Sequence, residues 1–379
     1  MSAPKEPSFT IGVEEEYLLV DKETRNLATD PPKSVMERCE KRLEKQVSPE
    51  FLRCQIEVGT PVCSTLAEIR DELAHYRRTI ARESARHNLA PLAASTHPFA
   101  EWTDQPHTDK ERYNEIARSM QVVAKRMLIC GMHVHIGIEE DELRIELFNQ
   151  LAYFLPHLLA LSTSSPFWRG RNSGLKSYRL SVFNELPRTG LPPRFESFHD
   201  YRHTIDILVK AGALEDATKV WWDLRPSDRF PTLEMRITDV CPRLDDAVAI
   251  AALFRCLCRM LYRLRRSNQG WRQYSRFLLA ENRWQAQRHG TTARLIDFGR
   301  NETAPFQDLV EELIELVLPD AEHFGCVDDV AHIRTIAAKG TSAEKQLALA
   351  GEMPEDSHLP DDRLAAIVDH LIEETQAGL

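Results

Sequence analysis

A chain of 379 residues, 42% hydrophobic and 28% charged, has enough apolar content to bury a large core, which excludes a disordered polypeptide and leaves one large domain or two ordinary ones. Lysine and arginine total 48 against 58 aspartates and glutamates, and the net charge of −10 argues against general attraction to nucleic acid or an anionic membrane. Any phosphate ligand must therefore meet a local cationic site.

Along the chain, residues 9–21 alternate as a strand, and so do 51–59. The Thr60-Pro61 break precedes an amphipathic helical stretch at 66–87. A third strand is expected at 127–138, a helix at 142–161, and then a long irregular loop from Ser162 to Arg202, rich in Arg, Ser, Gly and Pro. A fourth strand at 232–240 ends at Cys241-Pro242, and a helix follows at 244–266. From Asp308 onward the chain reads as a helical, acidic, polar-faced tail. The N-terminus lacks the basic start and apolar stretch of a signal peptide, and the most hydrophobic runs, 151–161 and 247–254, are too short to span a bilayer, so a cytoplasmic protein without membrane association is expected. The eight cysteines are scattered with no Cys-x-x-Cys pair, which favours reduced thiols over a disulfide framework or a zinc site. Cys256 and Cys258, two apart on a helical pattern, point in different directions.

Each expected strand has one apolar and one polar face, whereas strands of a parallel sheet buried on both sides are continuously apolar. The pattern therefore predicts an α+β fold with a mostly antiparallel sheet, helices on its apolar face and a cleft on its polar face. With no repeat, low-complexity tract or linker, residues 1–379 are read as one domain, with motifs in 8–300 and a helical part at 301–379.

Residues two apart on a strand share a face, and this arithmetic gathers the chemistry. Glu14 and Glu16 point together, opposite Phe9, Ile11, Val13 and Tyr17. Glu57 shares its face with Arg53 and Gln55, His133 with His135, and Glu234 with Arg236, each against apolar residues on the other side. If these strands are neighbours, one face holds four carboxylates, two imidazoles and a guanidinium. Carboxylates at that density repel unless a cation neutralises them, and the donor set suits a hard divalent ion such as Mg²⁺ or Mn²⁺ bridging nucleotide phosphates. Singly, each motif is more often a solvated polar face; the repetition over four strands favours chemistry.

Weaker signals are Arg169, Arg171, Lys176 and Arg179 in the long loop, which could clamp phosphates or stay solvated, and Arg225 just before the fourth strand. Glu281-Asn282-Arg283-Trp284 could deliver Asn282 and Arg283 into a cleft, or form an ordinary amphipathic helix with Trp284 in the core. No P-loop, Gly-x-Gly-x-x-Gly after a strand, His-Glu-x-x-His or Gly-x-Ser-x-Gly is present.

Gly12-Val13-Glu14-Glu15-Glu16-Tyr17, Gly131-Met132-His133-Val134-His135-Ile136-Gly137, Thr232-Leu233-Glu234-Met235-Arg236 and Glu281-Asn282-Arg283-Trp284, in this order, resemble the glutamate–cysteine ligase type 2, or carboxylate–amine ligase, family over roughly residues 8–300. Ser164–Trp168, Arg171–Gly174 and Trp221–Pro226 strengthen the resemblance. It implies a fold like glutamine synthetase and glutamate–cysteine ligase, with a curved antiparallel sheet, and ATP with Mg²⁺ or Mn²⁺ as cofactors. By motif position it implies Glu14, Glu16, Glu57, His133 and Glu234 as metal ligands, with Glu50 as a further one. Arg236, Arg171 and Arg179 would stabilise the transferred phosphoryl group, and His135, with the cleft residues Arg225, Asn282 and Arg283, would serve nucleotide or substrate. The implied reaction activates a glutamate-like side-chain carboxylate as an acyl phosphate for attack by an amine, with cysteine not selected by any residue. The partners expected are small-molecule substrates and a second copy in a homodimer. A metal-dependent amidohydrolase without ATP and a non-catalytic nucleotide or metabolite sensor are the alternatives; the number of arginines favours the ligase.

Overall fold

The alternation at the N-terminus becomes the central strand of a sheet. In the computed structural model, which describes residues 6–352, 354 and 357–379, seven strands form this sheet: β1 (Ile11–Asp21), β2 (Val47–Pro49), β3 (Gln55–Gly59), β4 (Leu89–Leu92), β5 (Met132–Gly137), β6 (Leu224–Pro226) and β7 (Thr232–Met235). Their order is β6-β7-β5-β1-β3-β2, with β4 paired to the last residues of β1, and every pairing is antiparallel. Ile11, Val13, Tyr17, Ile56, Val58, Val134, Ile136, Leu233 and Met235 are buried on one face, against helices Leu66–Ala85 and Leu244–Arg266. Helix Leu66–Ala85 starts at a capping box in which Thr65 and Glu68 each accept the other's backbone N–H.

The strands are shorter than their patterns. Residues 127–131 and 236–240 lie outside the regular ladder, joined by an isolated bridge between Gly131 and Asp239 beside the bond from Met132 N to Thr238 O. Arg53, expected beside Glu57, lies in the turn before β3 and pairs with Asp30. Pro156, which has no N–H to donate, falls where the expected 142–161 helix divides into Asp141–Leu151, a 3₁₀ turn and Leu155–Ser162.

Two expectations need correction. Segment 162–202 is not one irregular loop: Ser162–Ser165 are buried, Arg179–Phe183 is helical, and helix Phe198–Lys210 begins within it. Buried Asp239 holds this segment by accepting from Ser164 N (2.9 Å), Ser165 Oγ (2.7 Å) and Ser177 Oγ (2.9 Å). The C-terminal part is not polar-faced either. Its helices Phe306–Phe324, Val327–Lys339 and Asp361–Gln376 bury Leu309, Leu313, Val317, Ile333, Ile367 and Leu371 in the main core at helical spacing; most of their acidic residues lie on the outer faces, while buried Asp320 pairs with Arg259 and Arg263. Helices Phe306–Phe324 and Val327–Lys339 pack on helix Leu244–Arg266. Among the described residues no helix is long and apolar enough to cross a membrane.

Between Glu14 and Glu16, Glu15 points into the core. Its carboxylate is fully buried and forms a two-pronged ion pair with buried Arg77 (2.6 and 3.0 Å), while the Tyr17 hydroxyl also donates to it. Arg77 donates in addition to the carbonyls of Cys241 (2.9 Å) and Pro242. One buried guanidinium thus joins β1, helix Leu66–Ala85 and the chain leaving β7. Removing one partner leaves the other charge buried and unmatched, so Arg77→Met is expected to lower unfolding free energy by about 3–5 kcal/mol in urea titrations. The double change Glu15→Gln/Arg77→Met is expected to cost less than the sum of the two single changes.

Candidate active site

The polar face of the sheet is organised in transverse rows by strand register. In the first, Arg225 of β6 stands opposite Glu234 of β7, which stands opposite His135 of β5, which stands opposite Gly12 of β1. In the second, His133 is opposite Glu14 and Glu14 opposite Gly59, with Arg236 reaching His133 from beyond the end of β7. In the third, Glu16 is opposite Glu57 and Glu57 opposite Ser48, whose hydroxyl donates to Glu57 at 3.1 Å. Gly131 N donates to Glu16 at 2.7 Å. A Cβ on Gly131 would lie 2.3 Å from Arg179 Nη2, so only glycine there lets the Arg179 guanidinium settle beside the third row.

A cavity of about 290 Å³ opens on these rows. Glu14, Glu16, Glu50, Glu57, His133, His135, Arg179, Arg225, Glu234 and Arg236 all line it. Charge is graded across it. Toward β6, Glu234 is gripped by a fork from Arg225 (2.8 and 3.0 Å) and by Arg236, and these charges hold its carboxyl below the usual range despite its burial. Toward β2, burial and then mutual repulsion raise the carboxyls: Glu57 goes well above the ordinary value, with Glu50, Glu14 and Glu16 as neighbours, and Glu16 is pushed up to about 7 by burial and Glu50. Glu50 is raised by burial and accepts from the Tyr113 hydroxyl at 3.2 Å.

Between these ends, Glu14 accepts from His133 Nδ1 at 3.1 Å and lies 3.4 Å from His135 Nε2. Burial opposes its ionisation, but the two imidazoles hold its pKa well below normal. His133 is pushed down to about 4, by burial and by Arg236. His135 is raised, because Glu14 and Glu234 outweigh its burial. Glu14, His135 and Glu234 each offer a donor atom within 4.8 Å of one another. His135, expected at the nucleotide or substrate, is thus the imidazole in this donor group, while His133 points its Nδ1 at Glu14. The donors fit a hard divalent cation: buried Glu234 and an imidazole, with half-buried Glu14, Glu16, Glu50 and Glu57 in a region of mutual repulsion that a cation relieves.

Three expected residues lie elsewhere. Arg171 is exposed in a two-residue strand pair opposite Trp168. Asn282 is buried and spans the backbone of Ile296, donating to its carbonyl at 2.9 Å and accepting its N–H at 2.7 Å. Arg283 pairs with Asp223 (2.7 and 3.2 Å), whose backbone carbonyl accepts from Arg236 N, so it supports the segment bearing Arg236 from outside the cavity. Trp284 of the same helix is 48% exposed and so not in the core. Conversely, Arg112, Tyr113 and Arg229 line the cavity without having been singled out. Arg229 sits in the short connection between β6 and β7, where a hairpin turn signal in Pro226-Ser227-Asp228 was available; Arg112 and Tyr113 are brought by helix Glu111–Met120, which no strand pattern announces.

The family model for glutamate–cysteine ligase family 2 matches residues 10–363, well beyond the motif region at 8–300. A protein of Rhodospirillum rubrum named "Putative glutamate–cysteine ligase 2" is 59% identical, over 99% of this chain and 97% of its own length. One of the same name from Jannaschia sp. is 53% identical over 98% of each. Among solved structures, a glutamate–cysteine ligase from Francisella tularensis in complex with AMP superposes with a TM-score of 0.70 at 13% identity, covering 98% of this chain and 90% of that one. A bifunctional glutathione synthetase from Pasteurella multocida gives 0.68 at 14%, covering 97% and 52%. At these identities the structural likeness establishes the fold: helices and an antiparallel sheet arranged as in these ligases.

The graded carboxylates give a direct expectation. Even residues that only support a metal ligand are worth about 10–100-fold in affinity, so Glu57→Gln is expected to weaken Mg²⁺ or Mn²⁺ binding by at least about tenfold in calorimetric titration. With chelator present the same variant should melt no lower than the parent, because it removes a repelling charge.

Proposed function

The chain belongs to glutamate–cysteine ligase family 2, and we propose that it is an ATP-dependent carboxylate–amine ligase, joining a glutamate-like side-chain carboxylate to an amine through an acyl phosphate. The observation that carries this is the charge gradient within one cavity. Arg225, Arg229 and Arg236 gather at the β6–β7 end, while at the β1–β3 end four carboxylates outnumber Arg112 and Arg179. A hydrolase activating water at a metal needs few cations beside it; a triphosphate needs several.

In the proposed reaction, a carboxylate oxygen of the substrate attacks the γ-phosphorus and ADP leaves. The amine nitrogen then attacks the acyl carbon, inorganic phosphate leaves and the nitrogen gives up a proton, completing the amide. Arg179, buried, and Arg236, half-buried, both fixed by carboxylate or backbone partners, would on this reading stabilise negative charge on the transferred phosphoryl group without reorganising. Arg225 orients Glu234 while its Nη1 is held by the carbonyls of Thr218 and Val220 (3.1 and 2.7 Å). Mg²⁺ or Mn²⁺, held by Glu14, Glu16, Glu50, Glu57 and Glu234 with His133 or His135, would supply neutralisation of the triphosphate. The cysteines take no part, being buried in the described fold. Residues 1–379 are read as one catalytic unit working on small molecules in the cytoplasm.

The test is ADP release by purified protein with Mg²⁺, ATP and L-glutamate, with and without a panel of amines that includes cysteine. Release that requires both carboxylate and amine, and falls by about a hundredfold or more in Glu14→Gln, is the expected result. Amide cleavage without ATP, in place of nucleotide turnover, would make the protein a hydrolase.

A further inference from the structure

The cavity has a second wall whose chemistry the charged rows leave unused. Ile116 and Met127, both half-buried, and Phe183 and Leu186, both buried, line the cavity together with the charged rows. Phe183 and Leu186 belong, with Ile129 and Val182, to a small apolar cluster separate from the main core, against which Met127 also packs. The wall lies near Glu16 and Arg179, where the ligase reading puts acyl transfer. Ile129 is two residues before Gly131, whose N–H is bound by Glu16, and the Phe183 ring lies 5.5 Å from the Arg179 guanidinium. The opposite end, at Arg225 and Arg229, has its own aromatic surface in Phe230, 58% exposed, so a nucleotide base seated there does not need this wall.

We propose that the amine acceptor carries a hydrocarbon substituent of several carbons that seats against Ile116, Met127, Phe183 and Leu186. This rests on the ligase reading above. Half-buried hydrocarbon beside a reacting centre is wetted when the acceptor is small, and an acceptor that covers it gains the burial of both surfaces. Met127, unbranched and polarisable, adapts to the shape of such a group. A cysteine side chain is too short to cover the wall, which offers no thiol-specific partner in exchange.

The experiment uses the full chain with ATP, Mg²⁺ and L-glutamate. Hydroxylamine, too small to use the wall, traps the acyl phosphate as a hydroxamate and so tests the ligase reading by itself; no hydroxamate sinks that reading and this proposal with it. With hydroxamate formed, kcat/KM for isoamylamine is expected to exceed that for methylamine and for cysteine by about tenfold or more, each buried methylene commonly counting for about that much in a fitted pocket. In Met127→Gln, and separately in Ile116→Asn, the ratio of isoamylamine to hydroxylamine kcat/KM is expected to fall about tenfold. Equal rates for methylamine and isoamylamine would overturn the proposal. So would a variant that raises KM for ATP and leaves the amine ratio unchanged, since the wall would then hold the base.

Discussion

Five carboxylates around one cavity, four on the face of a sheet and Glu50 beside it, repel one another, and much of the architecture is arranged to tolerate that. Two guanidiniums are spent on Glu234 and two imidazoles on Glu14, while Glu16, Glu50 and Glu57 are left crowded and raised. The uneven treatment is what makes the face useful: the arginine-rich end attracts anions, and the excess of acids over Arg112 and Arg179 toward β2 draws a divalent cation to the donors between the two ends. Had every carboxylate received an arginine, the site would be a static salt-bridge lattice with no reason to bind metal.

Fixing those side chains requires support from well outside the cavity. Arg179 reaches the third row because Gly131 has no Cβ, because its guanidinium donates to the carbonyls of Arg236 and Ile237, and because its own N–H bonds to Ser165 Oγ. Ser165 is in turn held by Asp239, the same carboxylate that gathers Ser164 and Ser177. On the other flank Arg283 grips Asp223, which carries the backbone bond to Arg236. The two segments bearing Arg179 and Arg236 are therefore positioned by hydrogen-bonded acids outside the cavity lining, an arrangement suited to holding charge without reorganisation.

What was legible in the sequence followed from period two. The pairs Glu14 and Glu16, His133 and His135, and Glu234 and Arg236 could be placed together because a strand alternates regardless of what packs around it. Asn282 and Arg283 were drawn to the cleft by their chemistry, but a helix pattern does not say which neighbour a polar side chain will meet, and Ile296 and Asp223 lie 14 and 60 residues away. Arg112 and Tyr113 were invisible for the complementary reason: their helix is ordinary in sequence, and only tertiary packing brings it over Glu50. The C-terminal helices were misjudged because acidic outer faces masked apolar residues at helical spacing.

Glu15 adds a constraint of a different sort. Three glutamates in succession would leave β1 poorly distinguished from its own copy shifted by one residue, since a carboxylate would face the cavity in either alignment. Arg77 removes the degeneracy: buried, and committed also to the backbone carbonyls of Cys241 and Pro242, it can match one inward carboxylate and no second, and Glu15 is that one. A one-residue slip would turn both Glu14 and Glu16 into the core, where Arg77 can pair with only one of them, and would bring Val13 or Tyr17 to the metal donors in place of an acid. The parity of the strand, and with it the count of acids in the site, is thus checked from behind by a residue no substrate will ever meet.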